Sequence, residues 1–321
     1  MLTHRSAERT RALGMLLLAN FFWGLSFPVI KALMFLQAQL LPGVDPWFLT
    51  VYTVGPRFVL ATLIMLVVSR GCWRATQLEW QQGVIMGLFA AGGMLFQNDG
   101  LQYTEASTSA FLTQLYAILI PVWAAVGLRR NPGARVWMCC GLVLAGVVIL
   151  GRFNWSLLRF GRGEWETLVS SVFFMVQILT LGRADFYENR PERISFVMFL
   201  TQAIVLGGLV GYTAPNREAL VLPWTSVSWV GLTVTLTVFC TIGATVLMNR
   251  WQPKITTIEA GLIYCVEPIF GSLLALFLPA LFSAGMGIAY ANEDATWRLL
   301  VGGGVITLAN IYLQFRPAEK R

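Results

Sequence analysis

The 321-residue chain is 56% apolar and only 12% charged, with a mean hydropathy of +0.66. Soluble domains carry roughly 25% charged residues, and one globular core could not bury this much apolar surface, so the composition excludes a soluble domain and predicts an integral membrane protein. The formal net charge is +7, but the basic residues are dispersed between apolar stretches. That distribution fits anchoring against anionic lipid and argues against a nucleic-acid partner.

A membrane span needs roughly 17–25 mostly apolar residues. Taken in order, the chain offers candidates at 12–33, 48–69, 82–101, 107–128, 136–151, 165–186, 194–213, 227–249, 257–279 and 297–315. Arg5, Arg9 and Arg11 precede the first, as in a secretory signal. The apolar run is too long for an h-region, however, and no small-x-small site leads into a mature domain, so it reads as a retained span. The fifth span is short, which predicts little tilt or a thin local bilayer. The longest polar breaks are 34–47, 152–164, 214–226 and 280–296. The break at 152–164 divides the chain into two blocks of equal span number, 12–151 and 165–315. The expected fold is all-α, a bundle of ten transmembrane helices.

The two blocks echo one another. Phe21-Phe22-Trp23 is followed by Lys31-Ala32, and Phe173-Phe174-Met175 by Arg183-Ala184 at the same spacing. A shift of about 150 residues also aligns Gly93 with Gly243, Gln102 with Gln252, Ala110 with Ala260 and Leu112 with Leu262. Each block holds an odd number of spans, so the second copy must cross the membrane in the opposite sense, the inverted duplication used by many secondary transporters. Lys31 is then expected to close its helix at one surface and Arg183 its copy at the other.

Lys and Arg placement sets the orientation. Arg5, Arg9, Arg11, Arg70, Arg74, Arg129, Arg130, Arg135, Arg183, Arg190, Arg193, Arg250, Lys254, Arg316, Lys320 and Arg321 fall on the side of the N-terminus, whereas Arg152, Arg159, Arg162, Arg217 and Arg298 fall on the other. Both termini are therefore expected in the cytoplasm, with the protein in the plasma (inner) membrane. Small residues recur at helix-packing intervals: Gly83 and Gly87, Gly207 and Gly211, Gly141 and Ala145, and Gly302-Gly303-Gly304. In lipid such residues let backbones approach closely.

Polar groups inside hydrocarbon point to bundle interiors or watery cavities. Arg57 and Glu267 each lie about 14–17 Å from a span end, near mid-membrane. They are expected either to pair or to be solvated separately, Glu267 then donating to the carbonyl of Tyr264. Pro28, Pro121 and Pro268 interrupt spans and free the carbonyls of Gly24, Ala117 and Tyr264. Such breaks mark either kinked bundle helices or a transport site. Trp23, Phe27, Gln97, Asn98, Gln114, Tyr116, Gln177 and Tyr264 accompany them. Aromatics and amides of this kind can hold an amphipathic solute, or simply bond helix to helix. Asp99 is expected at the outer end of its span, and Lys31 to snorkel to the interface.

Cys72, Cys139, Cys140, Cys240 and Cys265 form no Cys-x-x-Cys pair and read as buried structural cysteines. The single histidine, His4, lies in the N-terminal tail. No metal site, catalytic residue or cofactor is expected, and there is no Gly-x-x-x-x-Gly-Lys-Ser/Thr loop for ATP.

Asn20-Phe-Phe-Trp-Gly-Leu-Ser-Phe-Pro-Val-Ile-Lys31 resembles the first helix of the drug/metabolite transporter superfamily, in its EamA-like ten-helix branch. Arg57-Phe58 is similar to that branch's Arg-Phe, the stretch from Gly100 to Pro121 to its third-to-fourth helix hairpin, and Glu267-Pro268 to the Glu-Pro of its second repeat. The chain departs at Leu128-Arg129-Arg130, where the family often has Gly-Glu, and in the long acidic connection at 280–296. The resemblance implies an exporter of a small organic metabolite or drug-like solute, working by alternating access. Trp23, Phe27, Arg57, Gln97, Gln114, Tyr116, Gln177 and Tyr264 are the substrate-binding candidates, and Glu267 the candidate proton carrier. The implied partners are the solute and the lipid bilayer; the oligomeric state stays open. An integral-membrane transferase or a non-transporting membrane subunit is the alternative, though a transferase usually needs polar loops with clustered His, Asp or Arg.

Overall fold

The computed structural model describes residues 2–104, 106–129, 131–150, 161–294 and 296–314, and among them every regular element is helical. The connection at 151–160, with Arg152 and Arg159, and the tail from 315, with Arg316, Lys320 and Arg321, lie outside the described residues, as do Glu105 and Arg130.

Helix α1 (Leu2–Leu40) leads into α2 (Pro46–Val68) and α3 (Gln77–Tyr103). Then come α4 (Ala106–Thr113), α5 (Tyr116–Val126), α6 (Ala134–Leu150), α7 (Arg162–Leu181) and α8 (Pro191–Thr213). Short α9 (Arg217–Val221) precedes α10 (Val227–Thr235), which passes through a π-helical segment, Leu236–Gly243, into α11 (Ala244–Trp251). Finally α12 (Thr257–Tyr264), α13 (Glu267–Ala275), α14 (Leu278–Met286) and α15 (Trp297–Gln314) complete the chain. Among the described residues six segments are long and apolar enough to cross a membrane: Ala7–Leu40, Pro46–Val68, Arg162–Leu181, Pro191–Thr213, Val227–Lys254 and Thr257–Ala275. Shorter apolar helices accompany them, and the protein is a multi-pass membrane protein.

Local signals account for the ends. Asp45 accepts from the Trp47 amide ahead of Pro46, and Thr76 with Glu79, like Thr256 with Glu259, forms a reciprocal capping box. Proline behaves differently at each site. Pro28 does not break α1, contrary to expectation: the helix runs uninterrupted through it and on from Lys31 to Leu40. Lys31 therefore does not close its helix, whereas Arg183 does lie just past the end of α7, paired with Asp185 at 2.8 Å. The fourth span breaks at Gln114-Leu115, ahead of Pro121, which sits inside α5. The carbonyl of Ala117 that Pro121 frees accepts from Cys140 Sγ at 3.8 Å. Only Pro268 marks its break as expected, standing in the first turn of α13, where a missing N–H is harmless.

Close backbone approach fixes the packing. α3 runs between α7 and α8, α2 lies on α8, α6 on α15, and α1 on α13, α11 and the π-helical segment. A Cβ on Gly24 would meet Phe270 Cβ at 2.6 Å and the Gly271 amide at 2.8 Å, so α1 and α13 touch backbone to backbone. Gly83 and Gly87 seat α3 on Val197 and Thr201 of α8, as their spacing predicts, and Gly146 meets Gly302 between α6 and α15. Gly141 and Gly211 face open space and mediate no such approach. All five cysteines are buried.

Charges gather at the two ends of the bundle. At one, Arg9 pairs with Glu259 at 2.6 Å, Lys254 with Glu8 at 3.0 Å and Arg193 with Glu79 at 3.2 Å. At the other, Arg162 bridges Asp99 at 2.5 Å and Glu166 at 2.7 Å. Asp99 is 2% exposed and accepts also from Thr50 and Gln102, so it is a buried, partnered carboxylate rather than a cheap surface one.

Candidate functional site

The helices leave a central cavity at the middle of the bundle, with about 770 Å3 of empty space that includes its opening to solvent. The two broken spans meet there. Thr113 and Tyr116 flank the gap between α4 and α5, Tyr264 and Glu267 flank the gap between α12 and α13, and all four line the cavity. A helix break in hydrocarbon is tolerated where the irregular backbone is buried in protein or lines a cavity.

Trp23 contributes from α1, its ring edge-on to Tyr264 with centroids 5.4 Å apart. Arg57 enters from α2, Gln97 from α3 and Gln177 from α7. Gln97 Nε2 donates to Thr113 Oγ1 at 3.0 Å, and the Tyr264 hydroxyl donates to Gln252 Oε1 at 2.8 Å. Glu267 Oε2 accepts from Gln114 Nε2 at 3.3 Å, a bond that joins one helix break to the other. Arg57 is 1% exposed and its Nε donates to Thr241 Oγ1 at 3.2 Å, while its Nη1 has no partner.

The structure thus brings Trp23, Arg57, Gln97, Tyr116, Gln177, Tyr264 and Glu267 into one site. It separates two candidates from it. Phe27 turns toward α13 and lines a smaller cavity of about 230 Å3 with Pro28 and Gly271. Gln114 stands behind the wall and reaches the site through Glu267. The direct Arg57–Glu267 pair is not formed: among the described residues no ion pair involves either group. Beyond Gln177, Tyr264 and Glu267, the second block also contributes Phe174, Met198, Gln202, Cys240, Thr241 and Met248 to the cavity lining. Gln202 was visible in the sequence as an amide within an apolar span. Thr241 was not, because its position depends on the π-helical turn, a local widening common at functional sites.

Residues 10–152 match the EamA-like transporter family. The matched residues contain the Trp-Gly, Arg-Phe and hairpin motifs and hence Trp23, Arg57, Gln97 and Tyr116 of the cavity. An "Uncharacterized transporter" of Archaeoglobus fulgidus is 25% identical over 270 residues, covering 82% of this chain and 76% of the relative. A solved crystal structure, 17% identical, shares the fold at a TM-score of 0.61, covering 92% of this chain and 96% of that one. Residues 10–152 are thus similar to a family of membrane transporters, and the chain over most of its length to a relative named a transporter.

Proposed function

We propose that the protein is a secondary transporter that exports a small organic solute across the plasma (inner) membrane, by alternating access between two inverted five-helix repeats, 12–151 and 165–315. The observation that carries this reading is the central cavity walled by both blocks, with the two broken spans joined across it by the Gln114–Glu267 bond.

The repeat assignment is supported by the packing. The breaks at 114–115 and 265–266 are offset by the shift that aligns the sequence echo. Exchanging blocks turns the α1 contact with α11 and its π-helical neighbour into the α7 contact with α3, and α1 on α13 into α7 on α4 and α5. The pairs α2 with α8 and α6 with α15 map onto themselves. Such a bundle can rock about its own pseudo-symmetry and expose the cavity to either side in turn. The excess of Lys and Arg on the N-terminal side supports a cytoplasmic position for both termini.

Efflux and counterflow in proteoliposomes, with a panel of amino acids, nucleosides and cationic drugs and with or without a pH gradient, tests the reading. Saturable counterflow of at least one solute by the purified chain is expected. A chain that moves none of them is not a single-component transporter. Glu267 is the proton carrier in this scheme: Glu267→Gln is expected to abolish pH-driven transport while leaving exchange, and intact pH-driven transport by that variant removes the role.

A further inference from the structure

The cavity wall holds a charge with an unfilled bond. Arg57 is buried at mid-span with its guanidinium over the Phe58 ring at 5.4 Å; among the described residues it donates to the neutral hydroxyl of Thr241, and its buried Nη1 has no acceptor. An uncompensated guanidinium in hydrocarbon costs roughly 2.5–3.5 kcal/mol on insertion scales. Arg carries no acceptor and does not deprotonate in proteins, so the positive charge stays and asks for an anion. The carboxylate in the same cavity, Glu267, does not supply it: its Oε2 is engaged by Gln114, and it forms no ion pair with Arg57. The cavity that Arg57 lines also carries the rings of Trp23, Phe174 and Tyr264 and the thioethers of Met198 and Met248, alongside amides and hydroxyls. Aromatic and methionine side chains supply flat, adaptable apolar contact.

We infer that the site takes an amphipathic organic anion, with its carboxylate or equivalent anionic head on Arg57 Nη1 and an aromatic-sized apolar body among the rings. The charge-assisted bond fixes the head, and the apolar body fills the remaining volume. The inference names a substrate class for the transport site proposed above and rests on that reading for its physiological meaning.

The test is equilibrium binding to the full chain in lipid nanodiscs, using radiolabelled naphthylpropanoate, with its primary amide and naphthylpropylamine as competitors. These share one apolar body and carry negative, neutral and positive heads. The expected order is carboxylate tightest, amide weaker by about tenfold or more, and amine without competition. Arg57→Lys should keep the preference for the carboxylate, and Arg57→Gln should bring carboxylate affinity down to that of the amide. The wild-type ligand series stands without either variant, should Arg57→Gln fail to fold. Amine or amide competing as well as the carboxylate, the absence of saturable binding, or an undiminished carboxylate preference in folded Arg57→Gln overturns the inference. Transport of neutral or cationic solutes without carboxylate preference would sink this inference and spare the transporter reading. Selective carboxylate binding with no counterflow of any solute would do the reverse.

Discussion

At the scale of single residues, what a polar group touches decides its worth more than how deep it lies. Asp99 and Arg162 form one bridge but are unequal partners: the Asp99 side chain is 3% exposed and that of Arg162 57%. Removing Arg162 strands a buried carboxylate on neutral donors, whereas neutralising Asp99 leaves Arg162 in water and paired with Glu166. Arg162→Ala is therefore expected to destabilise by about 2 kcal/mol and Asp99→Asn by clearly less. Thermal unfolding of the two variants in detergent checks the asymmetry, and equal losses would contradict it. Arg57 and Glu267 were legible in the sequence because a charge inside an apolar span is rare and has to face protein or water. Their failure to pair was not legible, since it depends on Gln114 and Thr241 reaching them first. Phe27 lies apart from the main cavity for a geometric reason. Phe27 shares a broad face of α1 with Trp23, Ser26 and Ile30 but stands at its edge, where it lines the smaller cavity against α13.

At the scale of elements, glycine and proline divide the work of shaping helices that must touch closely. At the α1–α13 crossing a methyl on Gly24 collides with backbone at 2.8 Å, but one on Gly271 meets nothing nearer than 3.5 Å. Gly24→Ala should cost about 1–3 kcal/mol through overpacking, while Gly271→Ala should stay within about 0.5 kcal/mol. Comparative melting temperatures and solute counterflow of the two variants test this, and similar behaviour would mean the crossing is looser than it looks. Six of the ten expected spans could be read from hydropathy because the bilayer demands a minimum apolar length, and the others correspond among the described residues to shorter or less apolar helices. The site of each break could not. A proline signals a break where it stands in the first turn of a new helix, as Pro268 does, and is absorbed in a long helix held by neighbours, as Pro28 is. The polar stretch after 279 was likewise taken for a plain connection, yet α14 forms within it and the chain then folds back, the Glu293 amide donating to the Ala275 carbonyl at 2.9 Å.

At the scale of the whole molecule, the proposed alternating access requires that the cavity wall be reachable from both membrane faces, though not at once. Cys240 lines the cavity, and the other four cysteines are buried outside it. With those four replaced by Ala or Ser, a membrane-impermeant thiol reagent should label Cys240 from either side of proteoliposomes. Saturating substrate should slow that labelling several-fold. Labelling confined to one face under every condition would indicate a static pore or vestibule instead. The bundle also holds one member that belongs to both surfaces. α1 is 39 residues long and unbroken, about 58 Å of helix against a bilayer of about 40–45 Å including headgroups. One end is held by Arg9–Glu259 and Glu8–Lys254, and near the other Phe35 packs on Tyr290 and Gln39 reaches the Gly287 carbonyl. A rod of that length works as a lever: a tilt of about 10° carries one tip roughly 10 Å past the other. Whatever grips the residues around Gly287 from outside the membrane thereby holds a handle on the helix that bears Trp23.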